Sequence, residues 1–259
     1  MATPPAVDAR AYFSTYHGHD PAALRLVSSA LREGGAVAAS TDSNTDGDDP
    51  ESTPRKLIWL AGDSSLDNKF WLRGSVRRTP ACNGEERAFG SAEPLPQDVA
   101  HCVNTLLAAR AGSGGGGSGG GGGGSSRLAC VNAAVEESRL ADRAGGRLLP
   151  QDEVLRDSLA DGDVLVVSVG GNDIALSSSL ATKAALVALL GLPLPSCCSA
   201  LCPPRLGGAS DAALEDGSAL GLAHLTRLFG EQTRDYVRAL LAGPQRARPA
   251  LVVICMIVG

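Results

Sequence analysis

The sequence predicts an α/β protein built on a doubly wound parallel sheet. Residues 57–61, 164–169 and 251–258 are near-continuous apolar runs rich in Val, Ile and Leu, as is typical of strands that are buried on both faces. Residues 128–131 form a fourth, weaker apolar run. Helical patterns separate these runs, so strands and helices alternate along the chain. That alternation predicts a parallel sheet covered by helices on both faces.

Each predicted helix is indicated by apolar residues that recur at helical spacing. The first begins at Asp20-Pro21, because Asp20 can cap the helix and Pro21 suits its first turn, and it ends before Gly34. The apolar positions, helix by helix, are Leu24, Val27 and Leu31; Val99, Cys102, Val103, Leu106 and Leu107; Val154, Leu155 and Leu159; and Leu222, Leu225, Phe229, Val237, Leu240 and Leu241.

Two segments lack the apolar residues that a packed core needs. Residues 41–53 are almost entirely polar and acidic, and residues 113–126 are almost all glycine; both compositions predict disorder. We therefore expect residues 1–55 to hold an N-terminal helix and a disordered loop. Residues 56–259 are expected to form the α/β domain, with the glycine-rich segment as an insertion. The glycines are not followed by Lys and then Ser or Thr, so the sequence does not predict a phosphate-binding loop.

The composition argues against several classes of function. A net charge of -5 and 3% aromatic residues do not favour nucleic acid as a partner. The N-terminus has no secretory pattern, no apolar run approaches the ~18 residues that a membrane span requires, and the seven cysteines are irregularly spaced. These features favour a cytosol-like compartment and no membrane span. The sequence does not predict the oligomeric state.

The run at 57–61 leads directly into Gly62-Asp63-Ser64. A serine at the end of a buried strand lies at the carboxyl edge of the sheet, where open α/β sheets bind their ligands. Gly62 permits a tight turn, and backbone N–H groups at the start of the next segment can point at a developing oxyanion. On this motif alone, a plain turn capped by Ser64 is the favoured interpretation.

The run at 164–169 ends in Gly170-Gly171-Asn172-Asp173. Asn172 can donate its side-chain amide to an oxyanion, and Gly171 can let a substrate approach the backbone closely. The alternative is a turn with Asn172 in a left-handed conformation. Because both motifs follow core strands, we expect them to meet at one edge of the sheet, which favours the catalytic interpretation.

These two motifs resemble those of the GDSL/SGNH hydrolases, and the resemblance spans residues 57–258. It implies a three-layer, flavodoxin-like fold and cleavage of esters or thioesters of small molecules. Ser64 matches the family's nucleophile, and Asn172 matches its oxyanion asparagine. In the family's intermediate block a glycine follows an asparagine; here Asn132 is followed by Glu137 at about the place of that glycine. A carboxylate there would oppose a developing oxyanion.

The resemblance also implies a catalytic base in an Asp-x-x-His motif that follows the last strand, and the sequence given ends at Gly259. We therefore expect a domain that is incomplete at its C-terminus and weak or inactive as an esterase. Asp98 and His101 spell the same motif, but they lie in a helical pattern between the first two strands. His17, His19 and His224 are expected to be surface or helix-packing residues.

Two other function classes stay open on sequence grounds. A non-catalytic ligand-binding protein would retain the same crevice without turnover. A metal-dependent phosphoesterase requires clustered His and carboxylate ligands, which the motifs do not supply. Cys197, Cys198 and Cys202 lack a CxxC pair, so the sequence predicts a proline-rich loop there, no metal site and no cofactor.

Overall fold

The computed structural model describes residues 7–33, 54–70, 77–90, 94–113, 126–176, 178–193, 205–206 and 208–255. The strands are β1 (Lys56–Gly62), β2 (Arg78–Thr79), β3 (Leu95–Pro96), β4 (Leu128–Asn132), β5 (Val164–Ser168), β6 (Leu192–Pro193), β7 (Arg205–Leu206) and β8 (Leu251–Cys255). The helices are α1 (Ala9–Tyr12), α2 (Pro21–Glu33), α3 (Glu85–Phe89), α4 (Val99–Ser113), α5 (Pro150–Ser158), α6 (Gly171–Ala175), α7 (Leu180–Leu190), α8 (Asp211–Glu215), α9 (Leu222–Thr226) and α10 (Thr233–Leu241).

The four predicted strands form one parallel sheet in the order β4-β1-β5-β8. The chain thus places its second strand on one side of β1 and its third and fourth strands on the other. The direction of winding reverses between β1 and β5, and such a switch point is where open α/β sheets bind ligands. The prediction of an α/β fold with a parallel sheet is confirmed.

Helices flank the sheet on both faces, but Leu251, Val253 and Ile254 of β8 are exposed, so the prediction that this strand is buried on both faces is wrong. On one face, α2, α5 and α10 contribute Leu24, Leu155 and Leu240 to a core that also contains Trp59 of β1. On the other face, α4 packs its Ala100 against Leu60 and Cys130. The N-terminal helix α2 therefore shares a core with the sheet, and it begins and ends where the sequence predicts.

The inward face of α4 differs from the apolar face that predicted this helix. Cys102 is exposed and Leu106 is 66% exposed, whereas His101 and Asn104 are fully buried. Hydrogen bonds to the backbone of β4 explain the burial of Asn104. Its Nδ2 donates to Cys130 O at 3.0 Å, and its Oδ1 accepts from Cys130 N at 2.8 Å. Burial of Asn104 against the backbone of β4 turns Cys102 and Leu106 toward solvent, while Val99 and Val103 remain partly buried against the core.

The other predicted helices are present with modified ends. Leu159 lies just beyond α5, as its C-cap. The predicted helix over 222–241 is α9 and α10 joined by a π-helical turn at Arg227–Gln232, and Leu140–Gly146 form a 3₁₀ helix. Pairs β2–β3 and β6–β7 are short antiparallel ladders outside the main sheet.

Several predicted features fall outside the described residues, namely the polar loop at 41–53, nearly all of the glycine-rich segment, residues 256–258 of the last apolar run and the three clustered cysteines 197, 198 and 202. None of the helices described is both long enough and apolar enough to cross a bilayer.

Candidate active site

Gly62 ends β1 in a backbone conformation that only glycine accommodates. Its φ is +139°, and a Cβ on this residue would lie 1.8 Å from the carbonyl oxygen of Ser168. The next residue, Asp63, donates its backbone N–H to the same oxygen at 3.0 Å. The ends of β1 and β5 are therefore held together, and the chain leaves β1 at the carboxyl edge of the sheet.

Ser64 and Asn172 meet at this edge. Ser64 Oγ donates to Asn172 Oδ1 at 3.4 Å, and Asn172 Nδ2 donates to the carbonyl of Ser138 at 3.0 Å. Asn172 is buried, whereas Ser64 is partly exposed. An amide NH₂ group carries two hydrogens, so the bond to Ser138 occupies one N–H of Asn172, and the amide oxygen is the atom that faces Ser64 Oγ.

The glycine with a conformational requirement after β5 is Gly170. Gly170 has φ +100°, and a Cβ there would meet the Phe229 ring at 2.6 Å. Gly171, which the sequence singles out for substrate approach, is the first residue of α6 and is partly exposed. The strained position in this turn therefore lies one residue before Gly171.

A second segment, residues 135–138, packs against the turn that carries Ser64. Val135 N donates to Gly62 O at 2.9 Å, and Ser138 Oγ donates to the same oxygen at 3.1 Å. Within this segment Glu137 has φ +62°, a left-handed conformation that favours glycine. Within the described part of the chain, the backbone N–H groups of Ser64 and Glu137 have no protein acceptor. Both are free to bind a ligand oxygen.

The Glu137 carboxylate is held by a tyrosine. Tyr16 OH donates to Glu137 Oε1 at 2.7 Å, and this hydrogen bond raises the pKa of Tyr16 to about 12. Glu137 is exposed, so its charge is partly screened by solvent. The carboxylate that the sequence places near the proposed oxyanion thus has a partner outside the Ser64–Asn172 pair.

Arg143 is hydrogen-bonded to the end of β1 and to the 135–138 segment, a role that the sequence did not predict. Its guanidinium donates to Gly62 O at 3.2 Å, to Ser138 Oγ at 2.9 Å and to Asp152 Oδ2 at 2.8 Å. Asp152 also accepts from Tyr236 OH at 2.6 Å. The Arg143 and Asp152 side chains are completely buried. A buried charge must be paired in this way, so the network fixes Ser138 relative to Gly62.

Two further carboxylates position the same backbone. Asp67 accepts the backbone N–H of Glu136 at 2.9 Å, and Asp173 accepts that of Leu140 at 2.8 Å. Burial raises the pKa of both carboxyl groups. Since each carboxylate holds the segment that contains Glu137 and Ser138, their role here is to position the backbone.

An open cleft of about 560 Å³ lies beside this arrangement. The residues that line it are His17, Val135, Glu136, Glu137, Ser138, Arg139, Asp142, Leu149 and Leu176. Neither Ser64 nor Asn172 lines the cleft, but Ser138, which accepts the Asn172 amide, does. Ser138 therefore connects the wall of the cleft with the Ser64–Asn172 pair.

His101 is engaged away from Ser64. Its Nδ1 lies 2.6 Å from Glu85 Oε2, and its Nε2 lies 2.6 Å from Thr79 Oγ1. The Asp98 carboxylate accepts the backbone N–H of His101 at 2.8 Å, which is the geometry of a helix N-cap. The Asp-x-x-His spelling at the start of α4 is thus a capping pattern.

The other three histidines also have partners elsewhere. His19 is buried and stacked on Tyr12 with ring centroids 3.8 Å apart, and burial lowers its pKa to about 3. His224 Nε2 lies 3.0 Å from Thr182 Oγ1. His17 is exposed, and its Nδ1 lies 3.3 Å from Glu136 O at the wall of the cleft. Among the described residues, no histidine contacts Ser64.

In the part of the chain that the structure describes, the residues able to hold a metal ion form one cluster, Cys82, Glu85 and His101. It contains neither Ser64 nor Asn172, so the geometry gives no support to a metal-dependent phosphoesterase at the sheet edge. The comparison of the chain with protein-family models, with curated proteins and with solved structures finds no match.

Proposed function

We propose that this chain carries the serine ester hydrolase site of a GDSL/SGNH-type domain, acting on small acyl esters or thioesters. The observation that carries the proposal is the approach of Ser64 Oγ to the Asn172 side chain, 3.4 Å apart at the ends of neighbouring parallel strands. This pair lies where the winding of the sheet reverses, which is the position that open α/β sheets use for ligands.

The proposed chemistry assigns one role to each group. Ser64 Oγ attacks the acyl carbonyl carbon, and the carbonyl oxygen becomes an oxyanion. The donors for that oxyanion are the Asn172 amide and the backbone N–H groups of Ser64 and Glu137, which have no protein acceptor within the described chain. Donors of this kind, fixed before the reaction, stabilise the charge that develops in the transition state.

A base must accept the Ser64 proton during the attack. Since no described histidine contacts Ser64, the hydroxyl is not activated in this arrangement, and we expect slow ester turnover by this chain. Loss of a triad member typically lowers the rate by several orders of magnitude, while the oxyanion donors leave residual catalysis.

A non-catalytic ligand-binding protein is the second candidate. The observation that favours it is the hydrogen bond of Ser64 Oγ to an amide oxygen rather than to an imidazole. Such a protein would bind an ester or acid in the same place and release it unchanged.

An active-site-directed fluorophosphonate separates the two candidates over a long incubation, because the oxyanion donors alone leave a hydrolase serine with slow residual reactivity, whereas a plain binding site gives none. We expect an adduct on Ser64, identified by peptide mass spectrometry, and its loss in Ser64→Ala. Ser65→Ala is the matched control: Ser65 is the exposed neighbour, and its hydroxyl donates to Ser168 Oγ at 2.7 Å. This variant should keep the adduct.

The oxyanion role has its own readout in the same experiment. Asn172→Ala should slow adduct formation, and any hydrolysis of p-nitrophenyl acetate, by roughly 10²- to 10³-fold, as is typical for loss of one oxyanion donor. Near-ultraviolet circular dichroism establishes that each variant is folded. An adduct on Ser65, or none on the wild-type chain, would reject the hydrolase; unchanged ester recovered from a saturable complex would then support the binding protein.

A further inference from the structure

Three potential metal ligands converge at the first turn of α4, and none of the hydrogen bonds that the structure describes for them reaches Ser64 or Asn172. Cys82 lies between β2 and α3, Glu85 is the first residue of α3, and His101 is in the first turn of α4. One ligand atom from each of these side chains lies within 4.8 Å of the other two. Cys82 and Glu85 belong to one turn, in which the backbone N–H of Cys82 donates to Glu85 Oε2 at 3.2 Å, and the tertiary fold brings His101 of α4 to this turn.

The distances suit a small tetrahedral site. Cys82 Sγ lies 3.8 Å from Glu85 Oε2, close to the ~3.6 Å that ordinary zinc–ligand bond lengths give for a sulfur and an oxygen in a tetrahedron. His101 Nδ1 lies 2.6 Å from the same oxygen, where a zinc ion between them would require ~3.4 Å. An outward shift of under ~1 Å thus exchanges the hydrogen bond for two metal bonds.

The groups behind these ligands hold them in place. Asn104 Nδ2 donates to the second carboxylate oxygen of Glu85 at 2.9 Å. Thr79 Oγ1 lies 2.6 Å from His101 Nε2, so it can accept the Nε2–H when Nδ1 binds a metal. Supporting hydrogen bonds of this kind commonly orient the ligands of protein metal sites.

We propose that Cys82 Sγ, Glu85 Oε2 and His101 Nδ1 bind Zn²⁺. A thiolate, an imidazole and a carboxylate together bind zinc in preference to magnesium or calcium. Binding releases the Cys82 thiol proton to solvent, so that the thiolate and the Glu85 carboxylate together neutralise the ion. Cys82 is partly exposed, which leaves the fourth position for water. This site does not depend on the function proposed for Ser64.

Cobalt(II) is the probe, because it replaces zinc and reports a thiolate ligand through a charge-transfer band in the near ultraviolet. Titration of the metal-free chain with Co²⁺ should produce this band and tetrahedral visible absorption, and Zn²⁺ should remove both. Cys82→Ser and His101→Gln should each weaken Co²⁺ binding by at least about 100-fold. Thr79→Val should weaken it by about 10- to 100-fold, as is typical when a supporting hydrogen bond is lost.

Two control variants locate the thiolate. Cys102→Ser should keep the band, because Cys102 is exposed on α4 and its Sγ contacts the carbonyl of Gln97. The triple change of Cys197, Cys198 and Cys202 to Ser should keep it as well. Absence of the band from the wild-type chain, its persistence in Cys82→Ser or its loss in the triple variant would each overturn the proposal.

A second measurement needs no variant and therefore no assumption about folding. Zn²⁺ should slow alkylation of Cys82 by iodoacetamide at least about tenfold in the wild-type chain, with little effect on Cys102, as read by peptide mass spectrometry. Equal rates at Cys82 with and without Zn²⁺ would reject the site.

Discussion

Gly62 decides where Ser64 lies. Gly62 has a positive φ, and a backbone oxygen of β5 occupies the space that a side chain would need. The two strands therefore approach more closely here than any other residue would permit. That approach brings Asp63 N within hydrogen-bonding distance of Ser168 O. The position of the proposed nucleophile therefore depends on the absence of a side chain at Gly62.

Gly62→Ala should lower the free energy of unfolding by about 2–5 kcal/mol, since the left-handed backbone costs about 1–2 kcal/mol and the overpacking adds about 1–3 kcal/mol. Gly217→Ala is the matched control. Gly217 has φ +77° and open space within 4 Å of the position that a Cβ would take, so only the backbone term of about 1–2 kcal/mol applies. Urea unfolding of both variants measures the difference, and equal losses would show that the approach of β5 is unimportant.

The sequence predicted Ser64 and Asn172 because each directly follows a recognisable strand, and the strand alone specifies the edge at which they lie. It could not predict Arg143, whose role depends on a carbonyl, a hydroxyl and a carboxylate from distant parts of the chain. The Cys82–Glu85–His101 cluster was missed for a related reason. Cys82 and Glu85 are close in sequence, but His101 is distant, and only the hydrogen bonds of Glu85 to His101 and Asn104 bring the first turn of α4 to the other two residues.

At the scale of elements, the outer edge of β4 is closed by side chains rather than by another strand. Asn104 bonds both the N–H and the carbonyl of Cys130, and Asn83 Nδ2 donates to Leu128 O at 3.0 Å. These groups lie on the side of β4 that faces away from β1. The apolar pattern predicted the existence of α4 but not its inward face, because that face is selected by hydrogen bonds to the strand.

Asn104→Ala should therefore lower the free energy of unfolding by about 3 kcal/mol, because it leaves the buried backbone groups of Cys130 without partners, at roughly 1–3 kcal/mol for each unsatisfied group. Thr105→Ala is the control on the same helix: Thr105 is exposed, and its hydroxyl donates to His101 O within α4 and contacts Cys82 Sγ at 3.7 Å. We expect its effect to stay within about 0.5 kcal/mol. Chemical denaturation checks both values, and similar losses would contradict the closing role of Asn104.

At the scale of the whole molecule, the N-terminal segment is anchored in the main core through His19. Its ring stacks on Tyr12, and its backbone carbonyl accepts from Gln151 Nε2 at 2.8 Å. Burial lowers the pKa of His19 to about 3 from 6.5. Between these two pH values the unfolded chain binds a proton that the native protein does not, so stability falls as the pH falls.

We expect this contribution to change by about 1.4 kcal/mol per pH unit below about pH 6.5 and to be constant above it. His19→Phe keeps the stack and removes the titration, so the difference in unfolding free energy between wild type and variant should shrink with that slope as the solution is acidified. Urea unfolding between about pH 4 and pH 8 gives the difference directly. A constant difference over this range would show that His19 has the same pKa in the native state as in the unfolded chain.

Asp98 supplies a control of opposite sign. Burial raises its pKa to about 6 from 3.8, so between these values the native protein binds a proton that the unfolded chain does not, and this contribution to stability grows as the pH falls. Asp98→Asn removes that contribution and retains an acceptor for the His101 N–H. Its difference from wild type should therefore move in the direction opposite to that of His19→Phe.

The two margins of the sheet are unlike each other. Along β4 the outward backbone groups are taken by Asn83 and Asn104, whereas β8, at the far end of the order, pairs with β5 and with no other described strand. Leu251, Val253 and Ile254 of β8 are also exposed. A further strand is therefore favoured beside β8, because side chains already occupy outward backbone groups of Leu128 and Cys130 on β4.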